Sequence, residues 1–124
     1  FTQAAEAKDS FLHMGGRTVF DFATRQTAKC ILRLFEKSSI SADCLKYVIP
    51  HQANSRIVEV ISKKTKISLE KFYMNIAEYS NTSAATIPIA LHEMMQKELL
   101  QQGDYILMAG FGGGLTWGGL LVKI

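Results

Sequence analysis

Tyr105-Ile106-Leu107-Met108-Ala109-Gly110-Phe111-Gly112-Gly113-Gly114-Leu115-Thr116-Trp117-Gly118 is the stretch on which the fold turns. Its first five residues form an apolar run after the turn pair Gly103-Asp104, and they read as a buried strand. Leu115 to Ile124 reads as another strand. Only the glycine cluster Gly110–Gly114 joins the two, which leaves no room for a crossover helix, so the strands are expected to pair antiparallel.

Working back from this hairpin, helical and strand patterns alternate. The helix before it is expected to open at Asn81–Ser83 and to run to about Gln101, with Pro88 in its early turns, where a missing N–H is tolerated. Phe72 to Ile76 is a candidate strand and Ala53 to Lys66 a helix with Ile57, Val60 and Ile61 inward. Leu45 to Pro50 is a short buried strand stopped by its proline. From Arg17 to Lys37, the residues Val19, Phe20, Ala23, Thr27, Ile31 and Leu34 recur at helical spacing, with Phe35 widening the stripe. On the same helix Arg25, Lys29, Arg33 and Lys37 form a solvated row. Residues 1–14 have no sustained period and read as an irregular lead-in to a single domain at 15–124. The prediction is an α/β layer fold with a mixed β-sheet flanked by helices.

Composition narrows the function classes. Hydrophobic residues make up 48% of the 124 and charged residues 20%, an ordinary globular balance. A net charge of +3 gives no reason to invoke nucleic acid, although it allows a local basic patch. Cys30 and Cys44 match no zinc spacing, so no metal is expected. There is no membrane-length apolar stretch and no secretory signal, and the cysteines read as reduced thiols of a cytoplasmic protein.

Open α/β sheets bind ligands beyond the carboxyl ends of their strands. Three features fall there: His51, Asn81 and the glycine cluster. An imidazole can act as a base or donate Nε2–H to developing charge, while a histidine that caps a helix or is satisfied in the core is the competing account of His51. Asn81 can donate two hydrogen bonds without losing a proton, which suits an enolate or oxyanion, and a helix N-cap is its alternative. The glycine cluster fits neither a dinucleotide fingerprint nor a phosphate loop, and serves as a tight turn or as a close-approach oxyanion hole. Arg56 and Lys63, seven residues apart, share a helix face that either grips phosphate or an acidic helix or is merely solvated.

His51-Gln52-Ala53-Asn54-Ser55-Arg56-Ile57, Asn81-Thr82-Ser83-Ala84-Ala85 and Gly110-Phe111-Gly112-Gly113-Gly114-Leu115-Thr116-Trp117-Gly118, in this order, resemble the C-terminal region of the beta-ketoacyl-acyl carrier protein synthase III family. The likeness extends back through Met14-Gly15-Gly16-Arg17-Thr18-Val19-Phe20. It implies the C-terminal half of a thiolase-like fold, with the early strands of that half absent from this chain. The implied chemistry is a decarboxylative condensation of an acyl-CoA primer with malonyl on acyl carrier protein, at a Cys-His-Asn site. His51 and Asn81 match the family's His and Asn, and Gly113 its oxyanion-hole glycine. Gly16 and Asn54 fall where the pantetheine arm passes. Arg56 and Lys63 match the carrier-docking patch, and Phe20 and Phe111 would line the acyl pocket. Coenzyme A and phosphopantetheine thioesters enter as substrates, so no cofactor is implied.

The resemblance also implies an N-terminal half that holds the nucleophilic cysteine and most contacts of a homodimer. Neither Cys30, in mid-helix, nor Cys44, just before a strand, matches that nucleophile. By itself the chain is expected to be inactive in condensation. One departure stands out: the family has glycine where this chain has Ser80. Two other readings stay open, a non-catalytic module that binds carrier protein or coenzyme A, and a related condensing enzyme of polyketide or quinolone type.

Overall fold

The computed structural model describes residues 14–124, so the expected lead-in lies, apart from Met14, outside the described residues. Three strands, β1 (Leu45–Pro50), β2 (Tyr105–Gly112) and β3 (Thr116–Lys123), form a sheet in the order β1-β2-β3. β1 runs parallel to β2, with Tyr47 opposite Ile106 and Pro50 opposite Ala109. β2 and β3 are antiparallel, from Gly112↔Thr116 to Tyr105↔Lys123, as the short glycine link requires. The link itself, Gly113–Leu115, is a single 3₁₀ turn in which Gly114 has φ of 72°, a value that favours a residue without Cβ.

Among the described residues four α-helices accompany the sheet: α1 (Gly16–Ser38), α2 (Ser55–Thr65), the one-turn α3 (Ile76–Tyr79) and α4 (Thr86–Gln96). α1 and α2 cover one face. Ala23 and Ile31 of α1 and Ile57 and Ile61 of α2 meet Val48, Leu107 and Ala109 of the sheet, all buried. α4 covers the opposite face, where Ala90 and Met94 meet Ile49 and Ile106. Adjacent strand residues thus point into different cores: Val48 and Ile49, Ile106 and Leu107. Arg25, Lys29, Arg33 and Lys37 are exposed, as the helical periodicity predicts.

Three expectations are corrected. α2 begins at Ser55, not Ala53, because Asn54 has extended backbone angles and its side chain caps the helix by accepting from the N–H of Arg56 at 2.9 Å. Phe72–Ile76 is not a strand. Phe72 makes an isolated parallel bridge to Val48 and Tyr73 N–H donates to the Val48 carbonyl at 2.9 Å. The pairing goes no further than this, the Asn75 N–H turns instead to the side chain of Gln52, and α3 starts at the next residue. The third long helix opens at Thr86 and closes at Gln96, a shorter span than 81–101. Ser80 and Ser83 have φ of 58° and 54°, and Glu98 has 54°, so neither flank can continue a right-handed helix.

Candidate active site

His51 leaves the end of β1 beside β2, where its N–H donates to the Ala109 carbonyl at 2.8 Å. Pro50, buried and paired with Ala109, fixes the angle at which the chain turns out of the sheet. The imidazole meets the edge of the Phe111 ring, with centroids 4.9 Å apart. Burial pulls His51 below the ordinary histidine value, which favours the neutral ring.

Asn81 is exposed and stands between two residues of positive φ, Ser80 and Ser83. Its Oδ1 accepts from the N–H of Ser83 at 3.0 Å. That bond occupies the acceptor end of the amide and leaves the two Nδ2 hydrogens as its free end. Ser80 enters this loop at φ 58° and ψ −160°, a region in which a side chain is opposed. The sequence departure at Ser80 therefore falls on a position whose backbone does call for glycine.

His51, Asn81, Phe111 and Gly113 line one open cleft of about 660 Å³, together with Ile87 and Trp117. The same four also border a neighbouring hollow of about 540 Å³, walled by Val19 and Phe22 of α1 and by Ala53. Four sequence-predicted residues, from the ends of β1 and β2 and from the loop between α3 and α4, are thus gathered at one place. Gly16 and Asn54 line neither space. Their neighbours Gly15 and Ala53 do, while Gly16 is exposed at the start of α1 and Asn54 caps α2. Phe20 lines neither space and packs, partly buried, against the core between α1, α2 and the sheet. Arg56 and Lys63 are both exposed on α2.

Sequence reasoning passed over Trp117, whose ring meets Phe22 edge-on at 5.7 Å and helps wall the cleft. It also passed over Gln52, which is 1% exposed and hydrogen-bonded at both ends of its amide. A polar residue between a strand and a helix gives no periodic signal, and only the motif that contains it drew notice. Cys30 stays a structural thiol, since burial pushes its pKa up, against thiolate formation. Among the described residues no three His, Cys, Asp or Glu side chains gather as metal ligands, and no helix is long and apolar enough to cross a membrane.

The family described as 3-oxoacyl-[acyl-carrier-protein (ACP)] synthase III C terminal matches residues 35–124. The chain is 44% identical over 124 residues to a beta-ketoacyl-[acyl-carrier-protein] synthase III of Clostridium perfringens, covering 100% of this chain and 38% of that protein. It is 49% identical over 114 residues to the protein of the same name from Clostridium botulinum, covering 92% and 35%. The crystal structure of 3-oxoacyl-[acyl-carrier-protein] synthase III from Aquifex aeolicus superposes with a TM-score of 0.89 at 43% identity, over 92% of this chain and 37% of that one. The chain thus spans somewhat over a third of the length of its relatives, and the mixed sheet with its helices is the α/β arrangement of their C-terminal half. By sequence and by fold, the chain belongs to the 3-oxoacyl-[acyl-carrier-protein] synthase III C-terminal family.

Proposed function

We propose that this chain supplies the decarboxylating half of a cytoplasmic beta-ketoacyl-acyl carrier protein synthase III, a dimeric acyltransferase of fatty acid synthesis. The observation that carries the reading is the convergence of His51, Asn81 and Gly113 on one cleft, with Asn81 Oδ1 engaged by the Ser83 N–H and its Nδ2 available as a donor. A malonyl thioester carbonyl placed there accepts hydrogen bonds from neutral His51 and from Asn81 Nδ2. The electron pair of the breaking C–CO₂ bond moves into the thioester as an enolate, carbon dioxide leaves, and the two donors stabilise the oxygen. The enolate carbon then attacks an acyl-cysteine carbonyl presented by the other half of the protein. That attack expels the cysteine thiolate and forms the new carbon–carbon bond. The Gly113 N–H, on the exposed turn that lines the cleft, is suited to the oxyanion formed on the acyl-cysteine. Coenzyme A and phosphopantetheine thioesters are substrates in this scheme, and no separate cofactor takes part. Arg56 and Lys63, exposed on α2, offer positive charge to an acidic carrier protein.

The test uses the whole protein with its cysteine. His51→Ala and Asn81→Ala should each cut carbon dioxide release from a malonyl thioester by on the order of a hundredfold. Acyl transfer from acyl-CoA to the cysteine should persist in both. Loss of acylation with normal decarboxylation would reverse the assigned roles. Arg56→Ala should raise KM for malonyl carrier protein and spare the acyl-CoA substrate, and an equal loss with both would remove Arg56 from carrier docking.

A further inference from the structure

Gln52 is the residue next to His51, and its side chain is almost wholly buried, at 1% exposure. It faces a stretch more than twenty residues further along the chain. Its Nε2 donates to the Tyr73 carbonyl at 3.2 Å and its Oε1 accepts from the Asn75 N–H at 2.7 Å. Both bonds go to backbone, and together they close the gap left where the sheet ladder stops after Phe72. From Asn75 the bonding continues towards the second half of the site. The Asn75 carbonyl accepts from the N–H groups of Glu78 and Tyr79, each at 3.1 Å, and the Ile76 carbonyl accepts from Ser80 N–H at 2.8 Å. Ser80 immediately precedes Asn81. On its other side, Asn75 Nδ2 donates to Glu93 Oε2 of α4 at 2.6 Å, and Glu93 in turn pairs with Lys97 just past the end of that helix. The segment that delivers Asn81, already tied to β1 through Tyr73 N–H and the Val48 carbonyl, is therefore fastened to the turn that delivers His51 by the buried Gln52 amide.

We propose that Gln52 is a positioning residue that sets the separation of His51 and Asn81 by bridging the turn after β1 to the segment that leads into α3. The role demands one donor and one acceptor on the same rigid planar group, which a carboxamide provides and an apolar side chain of similar volume does not. Glutamate keeps the acceptor but offers the Tyr73 carbonyl a donor only when protonated. The inference rests on the decarboxylation reading of the site. It assigns Gln52 no contact with substrate.

The experiment compares the whole protein with Gln52→Leu and Gln52→Glu. Both half-reactions are measured separately, carbon dioxide release from a malonyl thioester and acyl transfer to the cysteine, along with hydrogen exchange at the Asn75 amide. For Gln52→Leu, kcat of decarboxylation should fall at least tenfold, since displacement of a catalytic group by about 1 Å is worth up to a hundredfold. Acylation should change by no more than about twofold, the span left to an indirect effect, and Asn75 exchange should accelerate. For Gln52→Glu, decarboxylation relative to wild type at the same pH should recover as pH falls and the carboxyl protonates. This second variant decides the matter if the leucine variant does not fold. Equal loss of both half-reactions, or no loss in either, overturns the proposal, and so does a glutamate variant with no pH-dependent recovery. Failure of the wild-type protein to release carbon dioxide would instead refute the reading of the site, with Asn75 exchange still reporting on the bridge itself.

Discussion

Ser80 holds φ at 58° and ψ at −160°, a state that glycine enters freely and that a Cβ opposes by about 1–3 kcal/mol. Its N–H is bonded to the Ile76 carbonyl at 2.8 Å, so the conformation is held by the end of α3 and cannot relax alone. Ser80→Gly should therefore stabilise the whole protein, with about 1 kcal/mol left after the greater entropy of an unfolded glycine is deducted. The check is a higher urea midpoint at unchanged slope, with Ser80→Ala giving no such gain. His51 supplies a second prediction at this scale. Burial holds its folded pKa below the ordinary 6.5. As pH falls through that ordinary value, the unfolded chain takes up a proton that the folded chain refuses. The stabilisation is thus present above the unfolded value and is lost as pH drops toward the folded one. An NMR titration of folded His51 should give a midpoint below 6.5. Decarboxylation should persist down to that midpoint and decline beneath it, because an imidazolium would hold the malonyl carboxylate that has to leave. A midpoint above the ordinary value would contradict this account.

β3 lies against α1 with little clearance at Gly119. A Cβ there would stand 2.9 Å from Cys30 Sγ and 3.1 Å from both Leu34 Cδ1 and the Met108 carbonyl oxygen. The backbone oxygen cannot rotate away, so Gly119→Ala should cost about 1–3 kcal/mol. Adding Cys30→Ala should return part of that loss and not all of it, as measured by urea unfolding of the single and double variants. This close approach is invisible in the sequence, where Gly119 is one glycine among several. What periodicity carries is the existence and kind of the long elements. The α1 stripe, the two buried strands and the hairpin all follow from apolar spacing, and His51, Phe111 and Gly113 were legible from their places at strand ends and in the motifs, Asn81 from its motif alone, since the strand expected before it does not form. The Phe72–Ile76 segment was misread because its apolar residues say nothing about Asn75, whose hydrogen bonds go to Gln52 and Glu93 side chains and leave the ladder. The span of α4 was overdrawn because positive φ at serine or glutamate has no signature in composition. Phe20 and Phe22 are two apart on one helix, and which of them faces the hollow depends on how α1 docks on the sheet.

At the scale of the molecule, the sheet is unevenly covered. α1 and α2 lie along one face, while on the other α4 sits over β1 and β2, and β3 forms the far edge. Trp117 and Leu120, 48% and 62% exposed, and Leu115 and Ile124 leave apolar surface along that edge. The chain expressed by itself should therefore self-associate as its concentration rises, and Leu120→Lys should reduce association at little cost in stability. Size-exclusion chromatography across a concentration series checks this, and a wild-type chain that stays monomeric throughout would count against it. The parallel pairing of β1 with β2 has a consequence in time. β2 and β3 are neighbours in sequence and can zip through one tight turn, whereas Leu45 must find Tyr105 across α2, α3, α4 and the loops between them. Loop closure of that length opposes early contact, so the hairpin and the separate helices are expected to precede the β1–β2 register. His51 reaches Phe111 and Asn81 only when that register locks. A chain caught earlier on this route would have its basic helix and its glycine turn but not the cleft that gathers His51 and Phe111, and that cleft is expected to be the last feature the molecule makes.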